Sequence, residues 1–118
     1  MRRRPPKANR RVYCFDLDGT LCTNTEGGYD QARPYPERIR HLRALRRAGH
    51  EIVICTARGT KTGINWAALT RRQLARWKVP YDRLYFGKPY ADIYIDDKAQ
   101  HVGHWLAGRR RARKSRGE

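Results

Sequence analysis

A chain of 118 residues is long enough for one compact domain with a real core and leaves no room for a second. It carries 27 Lys and Arg against 11 Asp and Glu, a net charge of +16, yet its apolar residues gather in short runs, which excludes a wholly disordered chain. No run approaches the length of a membrane span and no apolar stretch follows the N-terminal arginines, so neither a membrane segment nor a secretory signal is expected.

The three cysteines, Cys14, Cys22 and Cys55, form no CxxC and no zinc-ligand spacing, and their odd number does not suggest a disulfide framework. Cys14 and Cys55 fall in strands expected to be buried, and the reading is a reducing cytoplasm. The positive charge concentrates at the ends, with six Lys or Arg in 1–11 and six in 109–118. Such ends suit nucleic acid or another polyanion, and equally a solvated arm with no partner. The expected layout is a flexible basic arm over 1–10, a catalytic domain over 11–108 and a basic tail over 109–118.

In chain order, 12–17 reads as an apolar strand that ends in Asp16, Leu17 and Asp18 before Gly19 and Thr20 turn the backbone. The period of two puts Asp16 and Asp18 on one face at the carboxyl end, where open α/β sheets usually bind ligands. A polar stretch over 19–35 reads as a loop or small flap. Pro36 opens a helix that carries Ile39, Leu42 and Leu45 inward and ends before Gly49. The run EIVIC over 51–55 reads as a strand buried on both faces, followed by Thr56, Ala57 and Arg58.

A second amphipathic helix is expected over 64–78, a third strand over 82–86, and a turn at Gly87, Lys88 and Pro89. A fourth strand follows at 91–95, ending in Asp96 and Asp97, and a last helix begins at 99 and dissolves at Gly108. Strand and helix alternate, which predicts an α/β fold: a Rossmann-like three-layer sandwich with a parallel sheet of about four strands, helices on both faces, and no cap domain. Asp16, Asp18, Thr56, Lys88, Asp96 and Asp97 then converge on one edge.

Four carboxylates so placed repel one another unless a cation sits among them, and a few oxygens with water suit Mg²⁺. Lys88 adds a point charge and Thr56 a hydroxyl donor, a set suited to holding phosphate beside an acid. One acid can then attack phosphorus while its neighbour gives a proton to the leaving oxygen.

The pieces DLDGT at Asp16, ICTAR around Thr56, GKP around Lys88 and YIDDKA around Asp96 and Asp97 resemble, in order and strand position, the four motifs of the haloacid dehalogenase superfamily. The resemblance implies that Asp16 is a nucleophile forming an aspartyl-phosphate, Asp18 the general acid and base, and Thr56 and Lys88 the phosphoryl binders. It implies Mg²⁺ held by Asp16, the backbone carbonyl of Asp18, and an acid of the Asp96 and Asp97 pair. An Asp at position 18 looks like the phosphatase branch. The short stretches where the family inserts caps resemble its capless members, whose open site admits bulky substrates or is covered by a second subunit. The wording from FDLDGTLC to YIDDKA is also similar to small phosphatases of capsule and surface-polysaccharide biosynthesis, and more distantly to the phosphatase domain of polynucleotide kinase.

The leading reading is an Mg²⁺-dependent phosphomonoesterase acting on a sugar phosphate or related small phosphorylated metabolite. A second makes the substrate a nucleic-acid 3′ end held by the basic tails, and a third is a non-catalytic phosphate-binding scaffold on the same fold. Gly19, Thr20, Ala57 and Arg58 are further candidates for substrate contact, with an ion pair to an acid as the alternative for Arg58. Tyr29 and Arg33 are candidates in the flap. Trp66, Trp77 and Trp105 are read as core or interface residues, and none of the four histidines as a site ligand.

Overall fold

The computed structural model describes residues 9–115, and the side chains of 9–112 within them. Nearly all of the expected N-terminal arm, and the last three residues of the expected tail, lie outside the described residues. Three strands, β1 (Val12–Asp16), β2 (Glu51–Thr56) and β3 (Arg83–Phe86), form one parallel sheet in the order β1-β2-β3. The helices are α1 (Pro36–Arg47), α2 (Ala67–Arg76) and α3 (Val102–Ser115), with a 3-10 turn at Tyr29–Gln31.

Register explains the burial. Cys14 pairs with Val53 and Ile54 with Leu84, so β2 is hydrogen-bonded on both edges and its Ile52, Val53 and Ile54 are all buried. Each strand shows one face to the helices: Phe15, Ile52 and Ile54 join Ile39, Leu42 and Leu45 of α1 and Leu74 of α2 in one core cluster. Leu84, Trp77 and Trp105 pack against it, as expected for two of the three tryptophans.

The fold class stands as α/β and Rossmann-like with a parallel sheet and no cap, but among the described residues the strand count of about four becomes three and the helices expected on both faces cover one. The run over 91–95 does not pair with the sheet; Ile93 is 77 % and Ile95 96 % exposed. A short apolar run reads alike as a strand or as an apolar loop, and periodicity alone does not separate them. The opposite sheet face, with Val12 64 % and Tyr85 48 % exposed, has no helix over it among the described residues. Cys14 is accordingly exposed, against expectation, and its Sγ lies 3.0 Å from that of Cys55.

Two chain ends of helices contrast. Gly49, at φ +96°, closes α1 as its lack of a Cβ allows, with its N–H on the Arg46 carbonyl and that of His50 on Leu45. After α2 the same left-handed position falls on Lys78, at φ +57°, and the helix is shorter at both ends than the predicted 64–78. Arg43 of α1 donates to the Lys78 carbonyl and helps hold that turn. The last helix begins at 102 and does not dissolve at Gly108: it runs to Ser115, and Arg110 within it forks onto Glu37 of α1.

Candidate active site

At the carboxyl end of β1 the chain wraps around one carbonyl. The N–H groups of Thr20, Leu21 and Cys22 all approach the oxygen of Leu17, at 3.1, 2.9 and 3.3 Å. Gly19, at φ +85°, makes this possible, and its own N–H donates to Cys22 O at 2.7 Å. Leu17, Leu21 and Cys22 have no exposed surface, so the turn is pinned by burial while Asp16 and Asp18 face an open cavity of about 650 Å³. Arg38 of α1 donates to the carbonyls of Gly19 and Thr20, closing the back of the turn. Neither Gly19 nor Thr20 lines the cavity.

Asp16 meets Lys88, with Oδ1 and Nζ 3.4 Å apart. Burial raises the carboxyl of Asp16 above its ordinary value, while the Lys88 charge and the Leu17 backbone N–H oppose that rise. Lys88 is delivered by backbone: its N–H donates to Thr56 O at 3.1 Å, and Thr60 Oγ donates to its carbonyl at 3.0 Å. Thr56 is fully buried at the end of β2 and outside the cavity lining, and its Oγ accepts the Arg58 N–H at 3.0 Å. It ties the loop together at the place where the sequence expects a phosphoryl contact.

Asp18 meets Arg58 instead. Nε and Nη2 of the guanidinium donate to its two oxygens, both at 2.9 Å, and Nη1 donates to Thr70 Oγ and Gln73 Oε of α2 at 3.0 and 2.6 Å. The Arg58 side chain is 0 % exposed, and the Tyr29 ring lies 4.7 Å below it. Of the alternatives for Arg58, the ion pair with an acid is what the structure contains. The Cys22 thiol reaches Asp18 Oδ1 at 3.5 Å, and burial, then that carboxylate, pushes it up to about 12.

The flap over 19–35 folds back on itself through Thr23 and Arg33, whose backbones bond at 2.8 Å, and it brings Tyr29 to the cavity but not Arg33. Ala57 and Arg58 line the opposite wall. Sequence reasoning missed Lys61, Trp66 and Tyr90, which line the cavity too. Trp66, read as core, sits just before α2 with its ring 5.0 Å from that of Tyr29. Its position at a helix start, beyond the apolar period of that helix, was the available signal.

Asp96 and Asp97 are not brought to this cavity. Both are exposed, Asp96 Oδ1 accepts the Lys98 N–H at 2.7 Å, and this bond with its neighbours holds the Asp96 carboxyl below its usual range. Among the described residues no three His, Cys, Asp or Glu side chains stand close enough to hold a metal ion. With neither Asp96 nor Asp97 beside Asp16, the donor set as placed does not fit the expected Mg²⁺ site. The cause is the unpaired 91–95 run: without a fourth strand, nothing carries Asp96 and Asp97 to the edge where Asp16 ends.

No helix of the described residues is long and apolar enough to cross a membrane. Residues 13–71, which include Asp16, Asp18, Thr56 and Arg58, match the family model of haloacid dehalogenase-like hydrolases. A crystallised target protein from Vibrio cholerae shares 31 % identity over 82 % of this chain and 88 % of its own, with a TM-score of 0.76. Two structures of a Pnkp1/Rnl/Hen1 complex, one titled an RNA repair complex, share the fold at 22 % identity. Their TM-scores are 0.52 and 0.53 over 75 % and 78 % of this chain and 30 % of each of theirs. No curated protein matches the chain. The family match over half of the chain and the Vibrio cholerae relative agree with the turn built around Asp16 and Asp18: the chain belongs to the haloacid dehalogenase-like hydrolases.

Proposed function

We propose that the protein is a phosphomonoester hydrolase that passes the phosphoryl group through Asp16, acting on a sugar phosphate or related small phosphorylated metabolite. The observation that carries this reading is the Asp16 and Lys88 pair, 3.4 Å apart on the floor of an open cavity in a hydrolase of this family. A carboxylate and a phosphate dianion at contact repel by several kcal/mol at an effective dielectric of about 20, and the Lys88 ammonium offsets part of it. In the first half-reaction an Asp16 oxygen bonds to phosphorus, the ester P–O bond breaks, and the leaving oxygen takes a proton from Asp18. In the second, water attacks phosphorus, its proton returns to Asp18, and the bond to Asp16 breaks.

Arg58 fixes Asp18 in place: both Asp18 oxygens accept from the guanidinium, which holds the carboxyl group in one orientation at the cavity. Arg58 touches Asp18 and no cavity-floor group, and so acts as a positioning residue. Enzymes of this family generally use Mg²⁺, and dependence on it belongs to the reading, although the described carboxylates do not assemble a site for it.

The test is phosphate release from an aryl phosphate, with and without Mg²⁺, compared with Asp16→Asn. We expect turnover that the substitution abolishes while the circular dichroism spectrum is kept; equal rates for the two proteins would end the proposal.

A further inference from the structure

We infer that the cavity above Asp16 selects phosphomonoesters whose alcohol carries a planar aromatic ring, a nucleobase in particular, stacked at Trp66 and Tyr90 with its phosphate toward Lys88. The inference rests on the phosphomonoesterase reading and names the substrate class of the same site.

Four aromatic side chains, Tyr29, Trp66, Tyr90 and Tyr94, line the cavity whose floor holds Asp16 and Lys88. Two of them have little to pack on: Tyr90 is 62 % and Tyr94 48 % exposed. Large apolar rings left to water around one concave site mark a surface that a ligand covers. Lys88 Nζ lies 3.4 Å from Asp16 and 4.3 Å from the centre of the Tyr94 ring, so the ammonium joins the phosphoryl end of the cavity to its aromatic wall. Lys61 Nζ lies 5.0 Å over the Tyr90 ring. One face of the Tyr29 ring is taken by Arg58 and the Tyr94 ring carries the Lys88 ammonium, while Trp66, at right angles to Tyr29, and Tyr90, with Lys61 over one face, both keep surface toward the cavity.

A nucleoside phosphate matches this lining. Its phosphate meets Lys88, and its base meets rings that stack on any nucleobase without reading its edge. Lys61, beside Tyr90, adds a second positive charge for a second phosphate group or a neighbouring backbone phosphate. The volume of about 650 Å³ lies in the range that holds ligands of nucleotide size.

The experiment compares KM for ribose phosphate, a nucleoside 3′-monophosphate and a 3′-phosphorylated oligonucleotide, in wild type, Trp66→Ala, Trp66→Phe and Tyr90→Ala. We expect KM about tenfold lower for the base-bearing substrates, a ratio that collapses in both alanine variants and returns in Trp66→Phe. Preference between the mononucleotide and the oligonucleotide tells which of the two supplies the base. Equal KM for ribose phosphate and both base-bearing substrates overturns the inference and leaves the phosphatase reading intact. If no phosphomonoester is turned over, that reading fails, and calorimetry on Asp16→Asn decides the inference alone. Nucleoside monophosphate binding about tenfold tighter than inorganic phosphate supports it; equal affinities overturn it. Tyr90, exposed and outside every strand and helix, keeps the test valid if Trp66→Ala does not fold.

Discussion

Asp18 and Arg58 lie 40 residues apart in sequence and meet through two parallel hydrogen bonds of 2.9 Å, the planar guanidinium matching the planar carboxylate. The pair joins the turn after β1 to the loop after β2, and through Thr70 and Gln73 it reaches α2 as well. Removing one partner from a buried pair leaves the other charge uncompensated, which costs about 3 to 5 kcal/mol. Arg58→Met is therefore expected to lower unfolding stability by that amount in urea, and to lower kcat more than it raises KM, because Asp18 loses its orientation. Arg58→Lys recovers little, since an ammonium has no fork. Arg58→Met combined with Asp18→Asn is expected to be more stable than Arg58→Met alone, which a double-mutant cycle measures.

The carboxyl of Asp16 is raised by burial and held back by Lys88, and both parts are testable by pH. A nucleophile must be ionised, so the acid limb of kcat/KM is expected above the ordinary Asp range, and Lys88→Met moves it further up. The stability consequence has the opposite direction to a paired acid. A carboxyl raised in the folded state contributes stability below its unfolded value and loses it as pH rises through the folded one. The Tm of Asp16→Asn is thus expected to gain on that of wild type as pH rises across this window; a difference independent of pH contradicts the burial of Asp16.

Much of this arrangement was legible before any coordinates. Pro36 and Gly49 bracket a helix because one ring presets the backbone and the other residue lacks a Cβ, and both act locally. EIVIC read as a strand of the sheet interior because its apolar run is unbroken, and it is paired on both edges, though the face that carries Cys55 has no helix over it among the described residues. The Asp16, Asp18 and Gly19 turn was equally local. What failed was non-local: whether 91–95 finds an edge to pair with depends on neighbours that its own alternation does not encode. Arg58 offered two readings, since an arginine beside a phosphate-binding threonine looks the same whether it turns to substrate or to Asp18. The helix through Gly108 meets Glu37 through Arg110, 73 residues away, and no rule of helix ends could supply that contact.

Glu37 gives that helix a pH dependence. The Arg110 side chain, bonded to it directly, holds its carboxyl at about 2 from an ordinary value of 4.5. A depressed acid contributes stability above its unfolded value and loses it as pH falls through the folded one, here between about 4.5 and 2. Glu37→Gln is expected to remove this part of the acid unfolding curve, and added salt to weaken it in wild type, because the pair lies at the surface. Identical acid curves for the two proteins would mean that α3 does not depend on the contact.

Gly59 controls the wall that carries Lys61 and leads into Trp66. It lies at φ +83°, and a Cβ there would come 2.2 Å from the Ile64 carbonyl oxygen, a backbone atom that no rotamer change can move. Its neighbours fix the loop from both sides: the Thr60 N–H bonds Ala57 O at 3.0 Å and the Gly63 N–H bonds Gly59 O at 2.7 Å. Gly59→Ala must therefore open this loop or distort it, at a cost of about 1 to 3 kcal/mol for the backbone conformation alone. The loop also sends Thr60 Oγ to the Lys88 carbonyl, so the distortion reaches the phosphoryl end of the cavity. The expected result is a fall in Tm together with a fall in kcat/KM. Gly63→Ala makes the control: its φ of +78° is strained as well, but nothing stands within 4 Å of the added Cβ, so it should lose stability with a smaller loss of activity.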